Sequence, residues 1–181
     1  MMKKLLAAAA ALILIMEPGA AYAGGGMGVT MSVFLTQMGV AYGRVKWGYS
    51  VERIEEEMLA TPEGNYVAEY NDSIALFINM QNKDRVKNAA LSFIISDGEA
   101  FPGYSRSGLP DGEEQYEGVC TQLILSTNLN MTEKRARAIL TELGISGPVL
   151  DGRQRRVRDG RFIYIMKLHK TGAVILVVST L

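Results

Sequence analysis

The chain has 181 residues, of which 19 are basic and 19 are acidic, so its formal net charge at neutral pH is zero. A near-neutral chain lacks the basic excess that nucleic-acid binding usually needs, so we expect no nucleic-acid partner. Its single cysteine, Cys120, excludes an internal disulfide, and an apolar core must therefore hold the fold together.

The first 23 residues have the features of a cleavable bacterial export signal. A basic start at Lys3 and Lys4 precedes an apolar run over residues 5–16, and Ala-Tyr-Ala follows at residues 21–23. The apolar run is shorter than the roughly 20 residues that a membrane-spanning helix needs. We therefore predict a signal peptide cleaved near Ala23, a periplasmic or secreted mature chain, and no stable membrane span after the leader is removed.

The mature chain opens with a segment whose secondary structure the periodicity leaves open. Residues 24–47 form an N-terminal segment with an uncharged stretch, 27–43, that fits either a helix or a buried strand. From Ser50 to Ala60 the apolar residues fall on one stripe of a helix, while the glutamates face away. Ser50 is the natural N-cap, so we predict a helix that begins there and ends before Pro62.

Two alternating segments then predict strands with one buried face. Apolar residues alternate with others over residues 74–80 and again over residues 91–95. We expect both to belong to an antiparallel meander, and we assign residues 48–97 to a first helix-plus-meander half. Residues 98–113 are rich in glycine, proline and serine, which predicts a loop.

The second half, residues 114–181, repeats this order of elements. Helical spacing begins near Tyr116, and a further helix is predicted from the cap Thr132 to the terminal glycine Gly144. Three antiparallel strands are then expected over residues 153–158, 162–168 and 173–179. Asp159-Gly160 fits a two-residue hairpin turn between the first two strands. The predicted fold class is therefore α+β, with two similar halves, each a helix or helix pair followed by a three-stranded meander.

The two predicted helix starts match residue by residue when Gly48–Arg53 is aligned with Asn130–Arg135. In each copy a residue tolerant of left-handed backbone, Gly or Asn, stands two residues before a hydroxyl cap. An arginine follows three residues after that cap. The match predicts an internal duplication, and the alternative is a coincidence between two ordinary helix starts, because cap residues recur for physical reasons.

The first helix start carries a resemblance to a known family. Gly48, the hydroxyl cap Ser50 and the aliphatic Ile54 resemble the helix-helix-β-meander modules of the outer-membrane assembly lipoproteins called SmpA/OmlA. In the second copy Asn130 and Ala136 replace the glycine and the aliphatic residue. Tandem copies of such a module resemble the fold of β-lactamase inhibitor proteins. The resemblance implies a non-enzymatic exported scaffold that binds other proteins through a sheet face.

The sequence predicts neither an enzyme nor a metal or cofactor site. Cys120 and His169 are the only residues for a thiol–imidazole pair, but Cys120 lies on an apolar helical stripe, where a thiol acts as a small hydrophobe. With one cysteine and one histidine, a zinc site would need mostly carboxylates, which is unusual. Met27, Met31 and Met38 are more typical of core packing than of a copper site.

The strongest candidate for binding chemistry is a cationic cluster on the predicted hairpin. It consists of Arg153, Arg155, Arg156, Arg158 and Arg161. Alternation sends Arg153 and Arg155 to one face of the strand and Arg156 and Arg158 to the other. Guanidinium groups suit the phosphates and carboxylates of lipids, glycans or acidic protein surfaces. The alternatives are an edge strand protected from aggregation by charge, and neutralisation by the acidic helix 52–57 within the molecule or a dimer.

Two aromatic residues, Trp47 and Tyr49, flank the first helix start and complete the set of candidate binding residues. An exposed tryptophan can anchor a partner, and the alternative is a hydrophobic lock on the helix entry. The predicted function is an exported, non-enzymatic protein-binding or envelope-assembly module whose partner is another envelope or secreted protein. The alternative function is binding of an anionic small molecule or envelope polymer by the arginine-rich hairpin.

Overall fold

The computed structural model describes residues 27–71, 73–94, 104–105, 112–146, 149–150, 153–169 and 173–181. The predicted signal peptide therefore lies outside the described residues, as does most of the predicted loop over residues 98–113. The described helices are α1 (Met31–Tyr42), α2 (Val51–Glu57), α3 (Gly112–Thr127) and α4 (Glu133–Leu143). The described strands are β1 (Met58–Ala60), β2 (Tyr66–Glu69), β3 (Ile74–Met80), β4 (Val86–Ile94), β5 (Tyr104–Ser105), β6 (Val149–Leu150), β7 (Arg155–Asp159), β8 (Phe162–His169) and β9 (Ala173–Thr180).

One antiparallel sheet of seven strands organises the described residues, which confirms the predicted α+β class. Its strand order is β1-β2-β3-β4-β9-β8-β7, and β5 and β6 pair separately. The meander β2-β3-β4 follows α1 and α2, and the meander β7-β8-β9 follows α3 and α4. The two meanders meet where β4 pairs with β9, with Ala90 opposite Val177. Both halves therefore contribute to a single continuous sheet.

The uncharged stretch over residues 27–43 forms a helix rather than a buried strand. Its N-cap is Thr30, whose hydroxyl accepts a hydrogen bond from the Val33 backbone N–H at 3.3 Å. Phe34 and Met38 are fully buried and anchor α1 against the rest of the molecule. Helix α1 lies ahead of the predicted first half, and with α1 counted into that half each half has a helix pair before its meander.

The helix predicted up to Ala60 is too long, because α2 ends at Glu57 and the next three residues form β1. Pro62 has no N–H to continue a helix. The chain instead turns back, with the Asn65 carbonyl accepting from the Thr61 N–H at 2.8 Å and Gly64 at φ +79°. Strands β1 and β2, which the sequence did not predict, pair across this turn.

The predicted caps of α4 are confirmed, and the hairpin turn after β7 differs by one residue. The Thr132 hydroxyl accepts from the Arg135 N–H at 3.2 Å, and Gly144 has the left-handed φ of +74° that a C-terminal glycine favours. Asp159 pairs with Phe162, so the two turn residues are Gly160 and Arg161 rather than Asp159 and Gly160. Gly160 has φ +59°, which a tight hairpin needs.

Both faces of the sheet carry buried apolar side chains. On the first face, here called the helix face, residues such as Leu76, Leu91 and Leu176 share one cluster with the buried residues of all four helices. The opposite face, here called the far face, holds a second cluster made of Val67, Ala75, Phe77, Ala90, Ile165, Ala173, Ile175 and Val177. All members of the second cluster come from strands of the large sheet. The far face is therefore buried at its centre.

Two polar side chains connect the halves through the loops that precede α2 and α4. Gln122 of α3 accepts from the Tyr49 N–H at 2.7 Å and donates to the Tyr49 carbonyl at 2.7 Å and to the Met38 carbonyl at 2.9 Å. Arg44, just after α1, donates to the Leu129 carbonyl at 3.0 Å and also to the Met131 carbonyl. Each half therefore supplies the side chain that fixes the helix entry of the other half.

The glycine of the first helix start is required by packing rather than by backbone conformation. Gly48 does not adopt a positive φ, so the expected left-handed geometry is wrong at this position. A Cβ at Gly48 would lie 2.8 Å from Oε1 of Gln122 and 2.9 Å from Cγ2 of Val45. Glycine is needed because the Gln122 side chain passes directly over this backbone.

Candidate binding surfaces

Strand β7, which carries most of the predicted arginine cluster, is an edge strand of the large sheet. In the large sheet β7 pairs with β8 alone, and among the described residues no strand pairs with its other side. Val157 points into the helix-face cluster, while Arg156 and Arg158 alternate to the far face and are exposed. Arg158 donates from Nε to the Gly160 carbonyl at 3.3 Å. Arg156 and Arg158 therefore project from the same face of an edge strand.

The remaining arginines of the cluster have other surroundings. Arg155 is half-buried on the helix face, and its Cζ would lie 3.3 Å from a Cβ built on Gly144. The Arg161 guanidinium lies over the Phe162 ring, 5.0 Å from its centroid, while Arg153 is exposed ahead of β7. The structure thus divides the five arginines, and Arg156 and Arg158 are the pair that it places together.

The acidic helix does not neutralise the arginine hairpin within the molecule. Helix α2, with the exposed Glu52, Glu55 and Glu56, packs against β2. Between β2 and β7 there are five strand spacings, which amounts to roughly 24 Å. Salt bridges do not form over such a distance, so that interpretation is wrong for a single molecule. The acidic and basic ends of the sheet lie on opposite sides of the protein.

The aspartate at the end of β7, Asp159, is held by α4. Arg135 donates from Nε to Asp159 at 3.1 Å and from Nη1 to Glu142 at 2.8 Å. These hydrogen bonds raise the pKa of Arg135 above its ordinary value, so the guanidinium stays charged. Asp159 is thereby directed toward the helix face, away from the side of β7 that carries Arg156 and Arg158.

Trp47 lies at the surface beside a small cavity between the α1–α2 connection and helices α3 and α4. Its side chain is partly exposed, and the Lys46 ammonium stands 5.5 Å from the ring centroid. The cavity has a volume of about 270 Å³ and is lined by Val45, Lys46, Trp47, Glu117, Gly118, Thr121 and Arg137. Gly118 makes the close approach possible, because a Cβ there would lie 2.4 Å from the Trp47 carbonyl oxygen. Trp47 is therefore accessible to a partner.

Tyr49 is a core residue and cannot contact a partner, so its place among the binding residues is corrected. It is fully buried, and its hydroxyl lies within hydrogen-bond distance of the Ala68 and Ile74 carbonyls, at 3.3 and 3.4 Å. The Tyr70 ring packs edge-on at a centroid distance of 4.2 Å. Burial raises the pKa of Tyr49 well above its ordinary value. These contacts agree with the alternative interpretation, a lock on the helix entry.

The far face also carries polar residues that the sequence analysis missed. Asn79 donates to Asn88 directly across β3 and β4 at 2.7 Å, which satisfies both side chains in part. Ser92 and Lys167 are buried on the same face. Strand alternation puts them on this face once the structure places Ala90 and Ile165 there, since Ser92 is two residues from Ala90 and Lys167 is two residues from Ile165.

The described residues place Cys120 in the core and offer no group of metal ligands. Cys120 is fully buried in the helix-face cluster, in agreement with its expected core role. Within the described ranges, no three side chains of His, Cys, Asp or Glu come close enough to hold a metal ion. None of the described helices is long and apolar enough to cross a membrane.

Comparisons of the chain with models of protein families, with curated proteins and with solved structures find no match. The resemblance to the SmpA/OmlA modules therefore stays a prediction. Function has to be inferred from the surfaces themselves, of which the β7 edge with Arg156 and Arg158 has the clearest chemistry.

Proposed function

We propose that this chain is an exported, non-enzymatic protein-binding or envelope-assembly module, which acts in the periplasm or outside the cell after cleavage near Ala23. The observation that carries the proposal is the open edge of β7 with the exposed Arg156 and Arg158. An edge strand presents backbone N–H and C=O groups to which an extended segment of another protein can pair. Arginines along that edge select which segments pair.

The charge of the edge indicates an acidic partner segment. Arg156 and Arg158 are exposed on this edge, and the aspartate of the strand, Asp159, is engaged by Arg135 from the helix face. Guanidinium groups bind carboxylates in a planar, two-pronged geometry. Exposed charges of this kind act mainly on association rate and specificity, while backbone pairing supplies affinity. The proposed partner is therefore an envelope or secreted protein with an extended acidic stretch.

The arrangement of the two halves supports a scaffold built by internal duplication, which we include in the proposal. Both helix starts place a hydroxyl cap before an arginine N–H, at Ser50 with Arg53 and at Thr132 with Arg135. The Arg53 side chain donates to the Tyr70 carbonyl just after β2. Arg135 reaches Asp159 at the end of β7, the corresponding strand of the other meander. Each arginine thus reaches the end of the first strand of a three-stranded meander, Arg53 at a backbone carbonyl and Arg135 at a carboxylate.

The proposal is tested by affinity capture from a native envelope fraction, with the mature chain as bait. We expect the unmodified chain to retain a specific protein and the Arg156→Glu/Arg158→Glu variant to lose it. The matched control is Lys83→Glu/Lys87→Glu, which reverses two exposed charges in and beside the β3–β4 turn and should retain the partner. Retention of the same protein by all three baits would show that the partner binds another surface, such as that around Trp47.

A second function, binding of an anionic small molecule or envelope polymer, is favoured by the spacing of the same two arginines. Arg156 and Arg158 are separated by two residues on one strand, or roughly 7 Å, and both face the same way. That separation suits neighbouring charges on a repeating anionic chain. Capture of lipid or glycan by the unmodified chain alone, with no protein retained, would support this function in place of protein binding.

A further inference from the structure

Strand β1 is the second edge strand of the large sheet, at the end opposite to β7. It pairs with β2, and among the described residues no strand pairs with its other side. Leu59 lies on this edge opposite Val67, which places it on the far face, and it is 69% exposed. Unpaired backbone groups beside an exposed apolar side chain are what a strand of another chain covers when it adds to a sheet.

The two edges of the sheet carry opposite charge. Helix α2 leads directly into β1 and has four glutamates and one arginine, and Glu52, Glu55 and Glu56 among them are exposed. Strand β7 carries the exposed Arg156 and Arg158. Among the described residues, no salt bridge includes any of these five side chains. We call β1 with α2 the acidic edge and β7 the basic edge.

The acidic edge has the chemistry that the proposed function requires of a partner. Residues 55–60 read Glu-Glu-Glu-Met-Leu-Ala, and the last three form the extended strand β1. One segment thus combines an unpaired strand with adjacent carboxylates, which suits the guanidinium groups and free backbone of β7. Six strand spacings, or roughly 29 Å, separate β1 from β7, so the two strands cannot pair within one molecule.

Charge selects how two copies of the chain can meet. Pairing of β7 with β7 would oppose arginines, and pairing of β1 with β1 would oppose glutamates, and both arrangements are destabilising. Pairing of β7 with β1 brings opposite charges together instead. When the sheet continues from one copy into the next, Arg156, Arg158 and Leu59 share the far face. The aliphatic stems of the arginines can then cover the exposed leucine.

We propose that the acidic segment that pairs with β7 belongs to a second copy of this chain, so that the basic edge of one molecule joins the acidic edge of the next. The inference rests on the proposed function, because it uses the same edge strand, and it names the partner segment as residues 55–60. Contact between unlike surfaces leaves a free edge at each end, so the assembly is open-ended. Strand β1 has three residues, so each junction is small and weak.

The first test is sedimentation velocity of the unmodified mature chain over a dilution series that reaches about 1 mM, where weak complexes form. The series is run at about 0.01 M and about 1 M salt, where the Debye length is roughly 30 Å and roughly 3 Å. We expect monomers on dilution, a continuous series of larger species at high concentration, and association at least ten-fold weaker at high salt. A chain that stays monomeric throughout, or that stops at a single dimer, would overturn the proposal.

Two charge-reversed variants show which edges meet. Arg156→Glu/Arg158→Glu reverses the basic edge, and Glu55→Arg/Glu56→Arg reverses the acidic edge. Each variant alone has two edges of the same sign and should remain monomeric. An equimolar mixture has opposite charges at every junction and should assemble again. Assembly of either variant alone, or no assembly in the mixture, would overturn the proposal.

Matched controls separate the edges from net charge and from misfolding. Lys83→Glu/Lys87→Glu makes the same change of net charge as reversal of the basic edge and should assemble as the unmodified chain does. Leu59→Lys places a cation in β1 beside the arginines of the next molecule and should weaken association at least ten-fold. Leu129→Lys changes an exposed leucine outside both edge strands and should not. Thermal unfolding identifies any variant that is not folded, and normal assembly of Leu59→Lys would also overturn the proposal.

Failure of this inference and failure of the proposed function give different results. If the mature chain does not self-associate but captures an envelope protein through Arg156 and Arg158, the proposed function stands and the partner is not a second copy. If the chain self-associates through both edges and captures no other protein, β7 is a protein-binding edge whose partner is the chain itself. If neither is observed, both proposals fall.

Discussion

Replacing Gln122 with methionine should destabilise the protein far more than an ordinary conservative change in a helix. Gln122 is fully buried, and its amide satisfies both the N–H and the carbonyl of Tyr49 at 2.7 Å. Methionine has a similar volume and flexibility, so Gln122→Met removes the hydrogen bonds without leaving a large cavity. The change isolates the contribution of the polar contacts between the two halves.

The magnitude follows from the groups left unsatisfied. Each buried backbone group that loses its partner costs about 1–3 kcal/mol, so the two groups of Tyr49 give a loss of about 4 kcal/mol. Single domains are stable by about 5–15 kcal/mol, which makes this loss a substantial fraction of the total. With a urea m-value of about 2 kcal/mol per M, the unfolding midpoint should fall by about 2 M.

The assay is equilibrium urea unfolding of the mature chain, with Thr121→Val as matched control. Thr121 is the adjacent residue of α3, is also buried, and donates its hydroxyl only within its own helix, to the Glu117 carbonyl at 2.7 Å. The control should lose no more than about 1 kcal/mol. If Gln122→Met were no less stable than Thr121→Val, the contact between the halves would contribute nothing beyond an ordinary buried polar group, and the reasoning would be refuted.

Two further predictions concern the helix entry and the core tyrosine. Gly118→Ala places a Cβ 2.6 Å from the Trp47 Cβ, so we expect a loss of about 1–3 kcal/mol and a shifted emission from the only tryptophan. Gly43→Ala, where the nearest atom is 3.8 Å away, is the control, and unchanged emission in Gly118→Ala would contradict the packing. Burial raises the pKa of Tyr164 to about 12, and its hydroxyl lies 2.7 Å from the Thr127 hydroxyl. The unfolded phenol ionises near pH 10, so this stabilisation is complete below pH 10 and is lost between pH 10 and 12, by about 2–3 kcal/mol. Tyr164→Phe should show a shallower loss of stability over that pH range, and an identical pH profile would exclude the assignment.

Caps and hydrophobic periodicity were sufficient to predict the helices and strands whose boundaries are set locally. Helix α4 begins after Thr132 and ends before Gly144, as predicted. The three strands of the second meander begin and end within two residues of the expected positions. The first meander was predicted less well because β1 continues a helical pattern. Pairing of Leu59 with Val67 gives those residues cross-strand partners, and the helical periodicity of residues 50–60 does not reveal that pairing.

The candidate sites were predicted only as far as residue type and alternation allow. Alternation placed Arg156 and Arg158 on one face correctly, but the sequence could not show that Tyr49 is buried. Gln122 and Lys167 were missed for a physical reason: a polar residue on an apolar helix or strand is conspicuous only when its spatial neighbours are known. Their neighbours come from segments far apart in the chain.

The position of β9 has a consequence for the time course of folding. It is the last described strand in the chain but lies near the middle of the large sheet, where Ala89 pairs with Val178. Closing contacts between segments so distant along the chain is slow, because the loop entropy is lost before the pairing is gained. Until residues 173–180 arrive, β4 and β8 are both unpaired edges made of apolar residues and can aggregate. A chain that lacks residues 173–180 therefore exposes two strand edges and is prone to aggregation.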